Sequence, residues 1–237
     1  VCGRLTAGIL GYHFGWRAAM VVLALLTGAA AAVLLAKLPD RPASSDARGI
    51  SPLHMLRLLS SKRWRNALLG GFCTLFGVVG VFSYITYHLA AAPFSLSPDR
   101  LSLLFLVYLM ATVVTPAAGK LFEVYGYSRS LRYASLLGFA GILLTLSLQM
   151  PVVLLGLGLC AASAFISQSC LSGYVSSLAG EQRSLGLGLY LSAYYLGGCA
   201  AGFVPAWAYA AGGWTACAAL FGAVYLTLAT AVAARLR

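Results

Sequence analysis

Few residues in this sequence could do acid–base chemistry. Its five carboxylates are Asp40, Asp46, Asp99, Glu123 and Glu181, and each falls in a predicted loop or at a predicted helix end. A membrane enzyme or ion pump usually needs a buried carboxylate as base, ligand or proton relay. None lies inside an apolar run here. Lys37, Lys62 and Lys120 also lie at the edges of apolar runs. That excludes a retinal-type pigment, which would need a lysine in a late helix and a buried counter-ion. The six cysteines, Cys2, Cys73, Cys160, Cys170, Cys199 and Cys217, include no C-x-x-C pair and read as small residues on helix faces. No catalytic constellation, metal or cofactor is expected, and the chain reads as non-enzymatic.

What remains is polar and aromatic side chains inside apolar segments. Arg4 stands eight residues before Tyr12, which at 1.5 Å per residue puts it about 12 Å from the segment end. Near the bilayer centre an arginine costs at least about 2.5–3.5 kcal/mol unless it is paired or hydrated. It reads either as a counter-charge to a substrate or carboxylate, or as a structural bond to a helix carbonyl. Phe76, Ser83 and Tyr87 share one helical stripe, flanked by Tyr84 and His88. Ser163, Ser167, Cys170, Tyr174 and Ser177 follow three- and four-residue spacing, with Gln168 adjacent. A continuous polar stripe in lipid faces protein or a cavity. Helix–helix hydrogen bonding explains the serines without a ligand, whereas an amide such as Gln168 favours a cavity role. Tyr190, Tyr194 and Tyr195 read as packing residues or as aromatic surface of a broad apolar pocket.

The elements that must position these residues follow from composition. Of 237 residues, 61% are hydrophobic and 9% charged, with mean hydropathy +0.88. A soluble domain carries about 25% charged residues, so the solvent of this chain is lipid. The uncharged stretches 18–36, 66–98, 101–119, 133–180 and 184–234 compare with the about 20 residues a helix needs to span the hydrocarbon core. Gln149-Met150-Pro151 and Gly212-Gly213 divide the two longest. The fold class is therefore all-α and polytopic. Seven complete transmembrane helices are expected near 17–36, 67–90, 99–121, 132–149, 152–178, 186–209 and 214–234, with one truncated segment before Gly15-Trp16-Arg17. The loops on one side then hold Lys37, Arg41, Arg48, Arg57, Lys62, Arg63, Arg65, Lys120, Arg129, Arg132, Arg183, Arg235 and Arg237, against Arg17 and Arg100 on the other. The positive-inside rule makes the first side, with the carboxyl terminus, cytoplasmic. The net charge of +11 is thus an orientation signal, and nucleic acid is not a partner it calls for.

Residues 37–66 form a cytoplasmic linker. Pro39, Pro42 and Ser44-Ser45 mark a loop, and Ser51-Pro52 opens a short amphipathic helix with Leu53, Leu56 and Leu59 on one face. The linker separates 1–36, the end of an amino-terminal bundle, from 67–237, a carboxyl-terminal six-helix bundle. Gly15-Trp16 also has a counterpart in Gly213-Trp214, 198 residues on, each pair lying between a segment rich in small residues and an Ala-rich one. On that repeat, about four helices are expected to be missing from the amino end.

Gly3-Arg4-Leu5 through Gly8 to Phe14-Gly15-Trp16-Arg17, Gly119-Lys120-Leu121-Phe122-Glu123-Val124-Tyr125-Gly126-Tyr127-Ser128-Arg129, and Leu189-Tyr190-Leu191-Ser192-Ala193-Tyr194-Tyr195-Leu196-Gly197-Gly198 together carry a family resemblance. The chain resembles the carboxyl-terminal two-thirds of a major facilitator superfamily permease, of the bacterial inner-membrane drug- and arabinose-efflux-like group. The second stretch is similar to the loop signature G-x-L-x-D-R-x-G-R-R, with Glu123 in the Asp position. The resemblance implies efflux of a small solute by proton-coupled alternating access. It also implies that the helices at 67–90 and 152–178 line the path, with Arg4, Phe76, Ser83, Tyr84, Tyr87, Ser167, Gln168, Tyr174, Tyr190 and Tyr194 as pathway residues. Gly119, Glu123, Gly126 and Arg129 would form a cytoplasmic gate. The implied partners are a small-molecule substrate, the bilayer and the missing amino-terminal helix bundle. The competing reading is a non-transporting membrane protein, receptor-like or an assembly partner, complete at this length.

Overall fold

The computed structural model describes the backbone of residues 2–37 and 60–235; within these ranges the side chains of 2–14, 98–99, 102, 110–113, 116–118, 120, 123, 181 and 235 lie outside the description. All the regular elements among the described residues are helical. In chain order they are α1 (Cys2–Lys37), α2 (Lys62–Ala90), α3 (Pro98–Leu103) with the 3-10 segment Leu104–Leu109, α4 (Met110–Leu144), α5 (Met150–Ala179), the 3-10 turn Gly180–Gln182, and α6 (Arg183–Thr227), which ends in a π-turn, Leu228–Val232, and a last 3-10 turn, Ala233–Arg235. Four stretches among the described residues are long and apolar enough to cross a membrane: Gly15–Lys37, Lys62–Ala90, Met150–Ala179 and Arg183–Val232. The chain divides into two compact units, Val1–Leu58 and Leu59–Arg237.

In the first unit α1 is broken at Gly15 (φ 80°, ψ 160°). From Trp16 onward it exposes Met20, Val21, Leu25, Leu26, Val33, Leu34 and Leu35. A helix apolar on all sides is stable only in lipid or against other helices. The linker helix expected to open at Ser51-Pro52, with Leu53, Leu56 and Leu59 on one face, falls in 38–59, outside the described residues.

Two further long helices of the second unit break at glycine. Gly126 (φ 72°, ψ 164°) interrupts α4, and Gly212 and Gly213 (φ 60° at the second) interrupt α6. Positive φ costs an L-residue roughly 1–2 kcal/mol, so glycine is the residue that lets these helices turn. The contacts give the direction of each half. Along α2 and the first half of α6, partners rise together: a Cβ on Gly71 would meet the Tyr190 ring, Gly197 abuts the Phe72 carbonyl, and the Tyr84 hydroxyl donates to the Gly202 carbonyl. Along the second half of α6 they run in opposite order, with Gly80 against Phe221 and Gly70 against Val232. The chain therefore reverses at Gly212-Gly213.

The second half of α4 runs antiparallel to α5, with Tyr127 beside Tyr174, Gly138 beside Ser163 and Gly141 beside Gly156. A Cβ on Gly156 would lie 2.6 Å from the Gly141 carbonyl oxygen. Lipid supplies no hydrophobic force between helices, so close backbone approach at small residues holds such pairs. Fully buried Phe82, Ile85, Leu89, Leu131, Ile142, Leu157, Leu171 and Phe221 fill the interior. One end of the unit carries Lys62, Arg63, Arg65 and the Gly126 turn. At the other, His88 stacks on Trp214 at 6.1 Å, and the Trp214 indole donates to the Thr145 carbonyl at 3.3 Å.

The observed helices outrun the expected spans. α2 starts at Lys62 rather than near 67, and the second half of α4 starts next to Gly126 rather than near 132. Charge keeps a residue out of the hydrocarbon, not out of a helix, and Lys and Arg stems reach back to water. The same half ends at Leu144, short of 149, where the Thr145 hydroxyl donates to the Ile142 carbonyl.

Candidate functional site

The polar stripe of α5 turns into the second unit. Ser163, Ser167, Cys170 and Tyr174 are all buried, and the Ser163, Ser167 and Tyr174 hydroxyls make no hydrogen bond. A buried hydroxyl left unpaired costs about 1–3 kcal/mol. Ser177 is tied locally, donating to the Tyr174 carbonyl at 2.7 Å. Gln168 has a partner that sequence spacing did not indicate: the Tyr190 hydroxyl donates to its Oε1 at 2.7 Å. Tyr190 is fully buried, seated where Gly71 leaves room for its ring. Its ring lies 6.0 Å from Tyr194, which meets Tyr195 edge-on at 5.6 Å. Gln168, Tyr190 and Tyr194 thus form one group joining α5 to α6.

On α2 the expected stripe divides. Phe76 is buried, tilted against Phe221 at 6.0 Å, whereas Ser83 is exposed and Tyr87 is 62% exposed. The second half of α6 covers α2 around Phe76 and Gly80 and leaves the later turn open. Tyr84 is buried but sits with Tyr87 and Tyr209, the three rings 5.9–6.2 Å apart. Tyr209 was not singled out from sequence. Nothing in its local spacing pairs it with positions more than a hundred residues earlier.

Of the gate residues, Gly126 makes the turn with positive φ, and Gly119 lies within the first half of α4 with nothing within 4 Å of a Cβ placed there. Arg129 is exposed, and the Glu123 side chain lies outside the described residues, as does that of Arg4. The turn is anchored by other residues. Ser130 donates across it to the Leu121 carbonyl at 3.1 Å, and Ser128 donates to the Ala233 carbonyl at 2.6 Å. Tyr127, at a signature position often basic, places its ring 5.7 Å from Tyr174, and its carbonyl accepts from the Cys170 thiol at 3.1 Å.

These groups offer hydroxyls, an amide and aromatic faces, suited to holding a solute rather than activating a nucleophile. Among the described residues no three His, Cys, Asp or Glu side chains lie close enough to hold a metal ion. The family model described as Major Facilitator Superfamily matches residues 1–202. The chain belongs to the Major Facilitator Superfamily. Membership makes it a multi-pass membrane protein.

The superfamily relatives agree. An uncharacterized transporter of Buchnera aphidicola subsp. Schizaphis graminum is 30% identical over 199 residues, 82% of this chain and 48% of its own length. The uncharacterized MFS-type transporter YybF of Bacillus subtilis is 26% identical over 200 residues, 83% of this chain and 50% of its own. The inner membrane transport protein YnfM of Escherichia coli is 29% identical over 243 residues, 99% of this chain and 57% of its own. The chain thus spans about half the length of the curated relatives it matches. No solved structure matches it.

Proposed function

We propose that this chain is the carboxyl-terminal part of a permease that exports a small amphipathic or sugar-like solute across the bacterial inner membrane by alternating access. The observation that carries the reading is the superfamily match over 1–202 together with relatives twice as long. In this reading the glycine breaks at Gly15, Gly126 and Gly212-Gly213 separate transmembrane segments. That makes seven complete segments plus a truncated one ahead of Gly15. Residues 67–237 are one whole bundle, 1–36 the end of the other, and a rocking motion of the two exposes the solute to each side in turn.

The solute-facing residues we assign are Arg4, Phe76, Ser83, Tyr84, Tyr87, Ser167, Gln168, Tyr174, Tyr190 and Tyr194. Exposed Ser83 and Tyr87 suit direct contact, and the Gln168–Tyr190 pair supports Tyr194 from behind. Efflux is driven by proton antiport. Every carboxylate here lies outside the apolar runs, so the proton-binding group belongs to the other bundle. Gly119, Glu123, Gly126 and Arg129 act as the cytoplasmic gate.

Reconstitution tests the reading. Proteoliposomes holding residues 1–237 alone show no solute flux above empty vesicles, and flux appears when the chain is extended by the preceding bundle. Flux by 1–237 alone would overturn it. In the longer protein, Glu123→Gln and Arg129→Gln each shift the accessibility of the two sides. If neither alters transport nor accessibility, the gate assignment is wrong.

A further inference from the structure

We propose that Ser128 is a positioning residue of the cytoplasmic gate, acting through an uncharged latch between the Gly126 turn and the end of α6. The inference rests on the gate reading and deepens it. Between Lys120 and Arg129 the one charged residue is Glu123, so the turn has little charge with which to hold its neighbours. Uncharged groups hold them instead. The Ser128 hydroxyl donates to the Ala233 carbonyl at 2.6 Å, joining positions 105 residues apart. The Cys170 thiol, a weaker donor, donates to the Tyr127 carbonyl at 3.1 Å, and the Tyr127 ring meets Tyr174. The turn is thus tied through Ser128 to α6 and through Tyr127 to α5.

The partner of Ser128 is not ordinary α-helix. In an α-turn the Ala233 N–H would go to the Ala229 carbonyl. Here it is divided between the Leu228 and Thr230 carbonyls, so the end of α6 leaves the α ladder for a π-turn and then a 3-10 turn. Single π-turns are frequent at functional positions. Ala229, Val232 and Ala233 are nonetheless buried, and a buried carbonyl at a helix end needs a donor from outside the ladder. Ser128 is that donor for Ala233. The bond holds the last turn of α6 against α4, and it fixes the backbone immediately before Arg129, which is exposed. A neutral hydrogen bond is weak enough to break and remake in each transport cycle, whereas a buried ion pair is costly to part.

The test begins with chain 1–237 in detergent, followed by amide hydrogen exchange and mass spectrometry. Ser128→Ala is expected to speed exchange across 228–234 about five-fold, the equivalent of about 1 kcal/mol for one hydrogen bond. Ser128→Thr, which keeps a hydroxyl at the same place, is expected to restore the parent rate. Ser177→Ala removes a hydroxyl bonded within its own helix and is expected to leave 228–234 unchanged. Alanine suits a helix, so folding is preserved, and circular dichroism verifies it. Molar salt is expected to leave the parent rate as it is, because screening acts only on charges. In the longer protein, Ser128→Ala shifts the accessibility of the two sides and Ser128→Thr returns it. Unchanged exchange in Ser128→Ala, or exchange that quickens with salt in the parent, would overturn the latch. Faster exchange with unaltered accessibility would make the bond structural and overturn the gating role. The gate reading itself is judged separately, by Glu123→Gln and Arg129→Gln.

Discussion

At the residue scale, the contact most open to measurement is the hydrogen bond from Tyr190 to Gln168. The cost of an amide in lipid made Gln168 conspicuous in the sequence. Its partner was not legible, because the two lie 22 residues apart on different helices and only packing brings them together. Tyr190→Phe leaves the Gln168 oxygen unpaired, and Gln168→Leu leaves the Tyr190 hydroxyl unpaired in a fully buried place. Each is expected to lower stability by about 1–3 kcal/mol. The double variant is expected to lose less than the sum, since neither partner is then stranded. Thermal unfolding in detergent reads all three; strict additivity would show that the bond contributes nothing to stability.

Among elements, glycine separates two jobs that look alike in sequence. Gly126 is needed for its dihedral angle and Gly197 for its lack of a side chain. Gly126→Ala is expected to cost about 1–2 kcal/mol through positive φ alone, although nothing lies within 4 Å of the added Cβ. Gly119→Ala, seven residues earlier in regular helix, is expected to be neutral or to stabilise by up to about 1 kcal/mol. At Gly197 the obstacle is the Phe72 backbone carbonyl, which cannot swing away as a side chain does. Gly197→Val is therefore expected to separate α2 from α6 and abolish a monodisperse elution peak. Gly188→Val, on the same helix with open space around it, is expected to keep that peak. Identical elution of the two variants would remove the close approach as a packing determinant. The turn at Gly212-Gly213 was readable because glycine interrupts an apolar run there, and those at Gly15 and Gly126 because glycine stands beside charged residues between apolar runs. The 3-10 segment Leu104–Leu109 was not, since its leucine-rich sequence suits a continuous α-helix equally well.

For the whole molecule, orientation is the property to test first. The proposal that the carboxyl end is cytoplasmic predicts that a fluorescent protein fused after Arg237 matures and glows. An alkaline phosphatase fused at the same point is expected to stay inactive. The opposite pair of results would reverse every assignment of sides, the gate included, while leaving the helix packing untouched.

The amino-acid sequence by itself determined the solvent, the helical class and the places where the chain turns. Each depends on local properties: hydropathy summed over a membrane thickness, and the dihedral freedom of single glycines. It also carried enough of a loop signature and helix order to reveal the family. The tertiary structure alone decided which polar residues meet. It turned Ser163, Ser167 and Tyr174 inward, joined Gln168 to Tyr190, gathered Tyr84 and Tyr87 with Tyr209, and split Phe76 from the stripe it shares by spacing. Helical periodicity says which residues share a face, but the neighbour covering that face is set by packing between segments far apart in the chain, as Gly70 and Val232 are.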